Sequence, residues 1–332
     1  MKTVAVLGSG SWGTALAFHL ASAGHDVRLW GRNPELIEEM KSRRANAVYL
    51  PDIVLPPGVV PTASLEEALR RADIVLAALP SHGTRAVIRA AAPLISRQAL
   101  IVSATKGIEQ DTLLRVSEVI AQEVRGARPV VVLSGPSFAI EVARRLPTAV
   151  SVACADPVLA EDVQREFRAA YFRLYASTDV VGVEIGGALK NTIAIAAGVV
   201  EAMGLGQNAL AALVTRGLAE ITRLACAVGG RRETLAGLSG LGDLVLTCTG
   251  SFSRNRHVGV ELAHGRPIDE VVASMKMVAE GVKTTTAALA LGRRHGIELP
   301  IATQMAAVLA GNRSAAAAVE ELMLRPQKTE VT

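Results

Sequence analysis

The stretch VAVLGSGSWGTALAFHLASAG, residues 4–24, constrains the fold more than any other part of the chain. An apolar, β-branched run ends in G-x-G-x-x-G at Gly8, Gly10 and Gly13, a helical pattern follows, and a second run, DVRLW at 26–30, begins soon after. Strand, glycine turn, helix and strand in so few residues specify a parallel βαβ unit, because an antiparallel return would need only a hairpin. The glycine spacing alone is a weak signal; in this context it reads as a dinucleotide-binding turn. Gly8 permits the tight turn, Gly10 lets the backbone approach a pyrophosphate, and Gly13 lets helix and strand pack closely. Free amides of Ser11 and Trp12 at the helix N-terminus supply the anion site.

The alternation continues. Strand candidates lie at 73–79, 99–104 and 130–135, with helix-length segments at 13–23, 64–71, 84–94 and 112–124. Such repetition predicts a Rossmann-type, doubly wound and mostly parallel sheet covered on both faces. TAVSVAC and FRLYAS extend the sheet before the pattern stops near residue 180. Beyond that point Ala/Leu/Glu helical patterns take over, broken at GLSGLGD, HGRP and RRHGIELP. Two domains are expected: residues 1–180 as the cofactor-binding α/β domain and 181–332 as an all-helical C-terminal domain, with a site in the cleft between them.

Composition excludes several classes. Hydrophobic residues make up 50% of the 332, and mean hydropathy is +0.34. Much of this is alanine, and no uninterrupted apolar run reaches the roughly 18 residues a membrane span needs. The N-terminus imitates a secretion signal, but Gly8, Gly10, Gly13 and His19 break its apolar stretch, so secretion is rejected. Cys154, Cys226 and Cys248 are odd in number and form no C-x-x-C pattern, which predicts a reduced, cytoplasmic protein without a disulfide framework. No metal-ligand spacing is present among the six histidines. A net charge of +4 admits an anionic ligand, while an aromatic content of 3% offers little to stack on bases, so no nucleic acid is expected.

Within GGALKNTIAIAAGVV, residues 186–200, Lys190 is the one charge. On a helix it shares a face with Gly186, Gly187, Ile193 and Ala194, so it is either a functional lysine or one that snorkels to water. At the end of the second strand, where an acid would bind a ribose 2′-hydroxyl, the chain has Gly31 and Arg32. A guanidinium pairs with a 2′-phosphate, so NADPH should be accepted alongside NADH; a plain surface arginine is the other reading. Lys106 in ATKGIE follows the fourth strand and SGPSFAIE follows the fifth, both where open parallel sheets bind ligands. SGLGDLVLTCTGSFSRN, 239–255, gathers Asp243, Thr247, Ser253, Arg254 and Asn255.

With GSGSWGTALA, NAVYLP, ATKGIE, SGPSFAIE, GALKNTIAIAAG, GLGDLVLTC, SFSRNRHVG and VAEGVKTT in this order, the chain resembles the bacterial-type NAD(P)-dependent glycerol-3-phosphate dehydrogenases over nearly its whole length. The resemblance implies reversible reduction of dihydroxyacetone phosphate to sn-glycerol 3-phosphate, a supply for glycerophospholipid synthesis. It implies Lys190 as the proton acceptor of the oxidation direction. Lys106, Gly135, Ser137, Lys190, Asp243, Ser253, Arg254 and Asn255 match the family's substrate positions. Ser11, Trp12, Arg32, Lys106, Ala139, Arg254, Val278 and Glu280 match its cofactor positions, with Tyr49 a weaker match. Partners are therefore small molecules, and a homodimer is left open. Two alternatives stand beside this: another two-domain dehydrogenase of the 6-phosphogluconate or β-hydroxyacid type, and a non-catalytic NADP-sensing protein.

Overall fold

Runs of Val, Ile and Leu that are buried on both faces build the sheet, in the manner of parallel strands covered by helices. In the computed structural model, which describes residues 1–125, 129–275, 277–327 and 329, the first part of the chain runs β1 (Thr3–Leu7), α1 (Ser11–Ser22), β2 (Asp26–Trp30), α2 (Pro34–Arg43), β3 (Ala45–Asn46), β4 (Leu50–Val54), β5 (Val59–Thr62), α3 (Leu65–Leu69) and β6 (Ile74–Ala77). It continues through α4 (Ser81–Ala91), β7 (Leu100–Ser103), α5 (Val116–Glu123), β8 (Val131–Ser134), α6 (Ala139–Ala143), β9 (Thr148–Ala153), α7 (Pro157–Phe167) and β10 (Phe172–Ser177).

The eight-stranded sheet has the order β10-β9-β8-β7-β6-β1-β2-β5. β1 pairs in parallel with β2, Val4 opposite Val27, and with β6, Leu7 opposite Ala77. The chain therefore leaves β1 in one direction and later returns to its other side, which opens a crevice beyond the carboxyl ends of β1 and β6. β8 and β9 are antiparallel, Leu133 opposite Val152, while β9 and β10 are parallel. TAVSVAC and FRLYAS thus extend the sheet in the reverse direction.

Four elements near the N-terminus go beyond the sequence reading. Asn33 caps α2, its side chain accepting from Glu35 N and Leu36 N. β3 and β4 form a small antiparallel pair, and β5 is an edge strand that carries Pro61, a position where a missing N–H donor is tolerated. The segment expected as a helix from 112 begins only at Val116, because Leu113 sits in a turn at φ 61°.

From residue 180 onward the described elements are helices: α8 (Val180–Ala202), α9 (Gly206–Ala227), α10 (Arg232–Leu235), α11 (Asp243–Thr249), α12 (Arg254–Ala263), α13 (Ile268–Ser274), α14 (Glu280–Arg294), α15 (Pro300–Leu309) and α16 (Ala315–Met323). Asp179 caps α8, accepting from Gly182 N at 2.9 Å. α8 is long and apolar enough to cross a bilayer, yet 89% of its apolar window is buried inside the protein. It is the central helix of this half, and each of its fully buried Ile, Leu and Val side chains contributes roughly 1.5–3 kcal/mol. At its crossing with α12, a Cβ on Gly198 would strike Arg256 O and one on Gly259 would strike Ile195 O, so glycine permits the close approach.

Candidate active site

The glycine turn sits at the crevice between β1 and β6. Gly8 has φ 119°, and a Cβ there would meet Ala78 O; one on Gly13 would strike Gly8 O. Among the described residues nothing lies within 4 Å of a Cβ built on Gly10. α1 begins at Ser11 with no side-chain cap, which leaves its first amides for an outside acceptor. Asn46, fully buried on β3, holds this turn: its Nδ2 donates to Ser9 O and Thr14 Oγ1, each at 2.8 Å, and its Oδ1 accepts from Tyr49 N at 3.1 Å. Tyr49 and Trp12 pack on the sheet core, and Trp12 and Ala139 both pack against the small cluster of Ala15, Leu50, Ile53 and Ala143; among the described residues the buried Trp12 Nε1 has no partner. Arg32 is exposed at the rim, two residues past β2. An open glycine turn, uncapped amides and a cation at the ribose end fit a dinucleotide phosphate chain.

Glu280 begins α14 and closes over the N-terminus of α4: Ser81 Oγ donates to it at 2.6 Å and Ser81 N at 3.3 Å. Val278, just before it, is exposed at its side chain, and Val278 O accepts from Arg254 Nη1 at 2.8 Å. Burial pulls the Arg254 guanidinium below its ordinary value, against the attraction of Glu280.

The second group of residues lies where the sheet ends meet the helices. A π-helical turn, Leu238–Gly242, packs on α8 and delivers Asp243 at the start of α11. Such turns concentrate at functional sites. Asp243 is 0% exposed and Lys190, reaching from α8, is 6% exposed. One Asp243 oxygen, Oδ1, accepts from Lys190 Nζ, and the other, Oδ2, accepts from Lys106 Nζ at 2.7 Å. Lys190 Nζ also donates to Thr247 Oγ1 at 2.9 Å, while the Thr247 hydroxyl donates to Asp243 O at 2.6 Å. Lys106 Nζ donates to Gly135 O at 3.1 Å, and Ser137 Oγ donates to the same carbonyl at 2.9 Å.

Burial lowers the Lys190 pKa to about 7; Asp243 opposes the drop and Lys106 reinforces it. An ammonium has three donors. Among the described residues Lys190 uses two on Asp243 and Thr247 and keeps one, and Lys106 likewise keeps one after Asp243 and Gly135.

Ser253 caps α12 by accepting from Arg256 N at 3.2 Å. Asn255 Nδ2 donates to Asn191 Oδ1 at 3.0 Å, and Asn255 Oδ1 accepts from Gly281 N at 2.9 Å, which ties α8, α12 and α14 together. The structure thus unites Lys106, Gly135, Ser137, Lys190 and Asp243 directly, and joins Ser253, Arg254, Asn255, Val278 and Glu280 through α12 and α14. Asn46 in NAVYLP and Asn191 in GALKNTIAIAAG stand in the sequence motifs without a role of their own, as does Thr247. The i, i+4 spacing of Asp243 and Thr247 was the available signal for the last.

Residues 3–160 match the family model described as NAD-dependent glycerol-3-phosphate dehydrogenase N-terminus, and residues 179–320 match the corresponding C-terminus model. A glycerol-3-phosphate dehydrogenase [NAD(P)+] of Koribacter versatilis is 52% identical over 335 residues, covering 100% of this chain and 99% of that protein. Its counterpart in Geobacter sulfurreducens is 51% identical over 99% of both. The crystal structure of glycerol-3-phosphate dehydrogenase from Coxiella burnetii superposes with a TM-score of 0.94 at 41% identity, covering 98% of this chain and 99% of that one.

Proposed function

The chain belongs to the NAD-dependent glycerol-3-phosphate dehydrogenase family, and we propose on that footing that Lys190 is the proton-transfer group in the reversible reduction of dihydroxyacetone phosphate to sn-glycerol 3-phosphate. The observation that carries the assignment is a buried ammonium with one uncommitted N–H, held between Asp243 and Thr247 beside Lys106.

The nicotinamide cofactor, when bound, supplies or accepts the hydride. The glycine turn at Gly8, Gly10 and Gly13, the amides of Ser11 and Trp12, Arg32, Tyr49, Ala139, Val278 and Glu280 would hold it. In the reduction direction Lys190 donates its free N–H to the substrate carbonyl oxygen, stabilises the charge that develops there, and then passes that proton to the alkoxide. In oxidation the neutral amine accepts the hydroxyl proton. A pKa of about 7 keeps both forms populated near neutrality, so one side chain serves both directions. Lys106 aims its remaining N–H at the same oxygen or the neighbouring hydroxyl, and Asp243 keeps the two cations close. For the phosphate, the residues suited are Arg254, with donors beyond its bond to Val278 O, the remaining N–H of Asn255, and the α12 amides beside Ser253. Ser137 and Gly135 line the side facing the sheet.

A reduced compartment suits Cys154, Cys226 and Cys248, all free, and the cytoplasm is the proposed location, with glycerophospholipid synthesis as the consumer of the product. The activity test follows NADPH and NADH oxidation with dihydroxyacetone phosphate, with 6-phosphogluconate as the rival substrate in the reverse direction. Turnover of dihydroxyacetone phosphate is expected; no rate above background with either cofactor overturns the reading.

A further inference from the structure

The connection from β7 to α5 carries Lys106 near its start and doubles back on itself. Ile108 and Arg115 form an isolated antiparallel bridge. Glu109 N donates to Leu114 O at 3.0 Å, and Leu113 N donates to Glu109 O at 2.9 Å. This brings Arg115 alongside Ile108, two residues from Lys106. Outside, Arg85 of α4 grips Glu109 with a fork, Nε to Oε1 at 2.8 Å and Nη2 to Oε2 at 2.7 Å. Inside, Ile108 leaves the sheet altogether and joins the apolar cluster of the helical half with Ile185 and Leu189 of α8.

Beside Ile185 lies Glu184, a buried carboxylate on the helix that carries Lys190. Arg115 Nη1 donates to its Oε2 at 2.7 Å, Ser117 N to Oε1 at 2.8 Å and Ser117 Oγ to Oε2 at 2.6 Å. Burial pushes the Glu184 carboxyl up, and Arg115 and Ser117 hold it down. A carboxylate is an expensive way to fasten two elements unless its directional bonds fix something that apolar packing would leave loose.

We propose that Glu184 is a positioning residue: by fastening the β7–α5 loop to α8, it fixes how close the Lys106 ammonium lies to the Lys190 ammonium. The proposal rests on Lys190 as the proton-transfer group. The groups that face Lys190 are Asp243, Thr247 and the Cys248 thiol from α11 and Lys106 from the loop; burial pushes the thiol up to about 12, so it stays neutral. Those that face Glu184 are Arg115 and Ser117, with Glu118 sharing Arg115 at 2.8 Å. Slackening the loop withdraws the Lys106 repulsion while Asp243 stays on its own helix beside Lys190. Lys190 then holds its proton more tightly.

The test is the pH profile of kcat for glycerol 3-phosphate oxidation in the intact enzyme and in Glu184→Gln, which keeps an acceptor for Ser117 and loses the charge for Arg115. The midpoint of the rising limb is expected to move up by about half a pH unit or more, with a several-fold fall in kcat near neutrality and little change in the cofactor KM. Arg115→Lys, which keeps a cation and loses the fork, is expected to move it the same way by less, and it carries the test if Glu184→Gln does not fold. A folded variant with reduced kcat and an unmoved midpoint overturns the positioning role. A wild-type profile with no ionisation near neutrality overturns the Lys190 assignment first, and this inference with it.

Discussion

Replacing Lys190 by methionine isolates the energetic consequence of burying its ammonium, independently of catalysis. The side chain is 6% exposed, and burial takes its pKa from 10.5 to about 7. An unfolded chain keeps the lysine near its ordinary value, so between these two pH values the unfolded state binds a proton that the folded state lacks. The free energy of unfolding therefore rises with pH through that window, with the slope of one proton, about 1.4 kcal/mol per pH unit, as its ceiling. The sign is fixed by the direction of the shift: the penalty is fully present below the folded pKa and is relieved as pH climbs toward the unfolded one. Methionine has a similar length and no proton to lose, and Asp243 keeps Lys106 as its partner. Urea unfolding of both proteins from about pH 6 to about pH 9 gives the comparison, because the titrating groups that do not touch Lys190 are common to the two. The stability of Lys190→Met relative to wild type should be greatest at the acid end and shrink by about 1.4 kcal/mol per unit above pH 7. Parallel stability curves across the window would refute a depressed lysine.

On the proposed pairing of Arg32 with the 2′-phosphate, Arg32→Ala should raise the KM for NADPH by about tenfold and that for NADH little; equal changes in steady-state kinetics count against that contact. Glu220, buried on α9, accepts Ile301 N and Ala302 N at 2.9 Å each and so caps α15. Burial raises its pKa from 4.5 to about 7, so the folded state holds a proton the unfolded state has released, and stability should fall as pH rises through that interval. In Glu220→Gln the urea midpoint should be flatter there; an unchanged slope would show that Glu220 does not titrate in that range.

The sheet was legible because its strands are continuous apolar runs between glycine-rich turns, and VAVLGSGSWG placed the crevice. The region 34–62 was not, since Leu50–Val54 and Val59–Thr62 each contain a proline and an exposed position, the mark of edges whose pairing is decided by what packs against them. The reversal at β9 was also hidden: TAVSVA has the composition of a parallel strand, and direction depends on the α6 connection. At the site, Lys190 stood out as a charge in an apolar helix. Asp243 was visible as a neighbour in composition, but its bridging of two lysines is a product of the π-helical turn before α11, a backbone feature that glycine spacing does not specify. Asn46 and Asn191 act through bonds to partners 37 and 64 residues away, and no local pattern announces such bonds.

The most direct measurement of the central claim is kcat of Lys190→Ala with dihydroxyacetone phosphate and saturating NADPH, beside the fluorescence of bound NADPH as a check on cofactor binding. Loss of a general acid should lower kcat by about 100- to 10,000-fold with cofactor affinity retained. Turnover close to wild type in a variant that binds NADPH normally would contradict the assignment of Lys190.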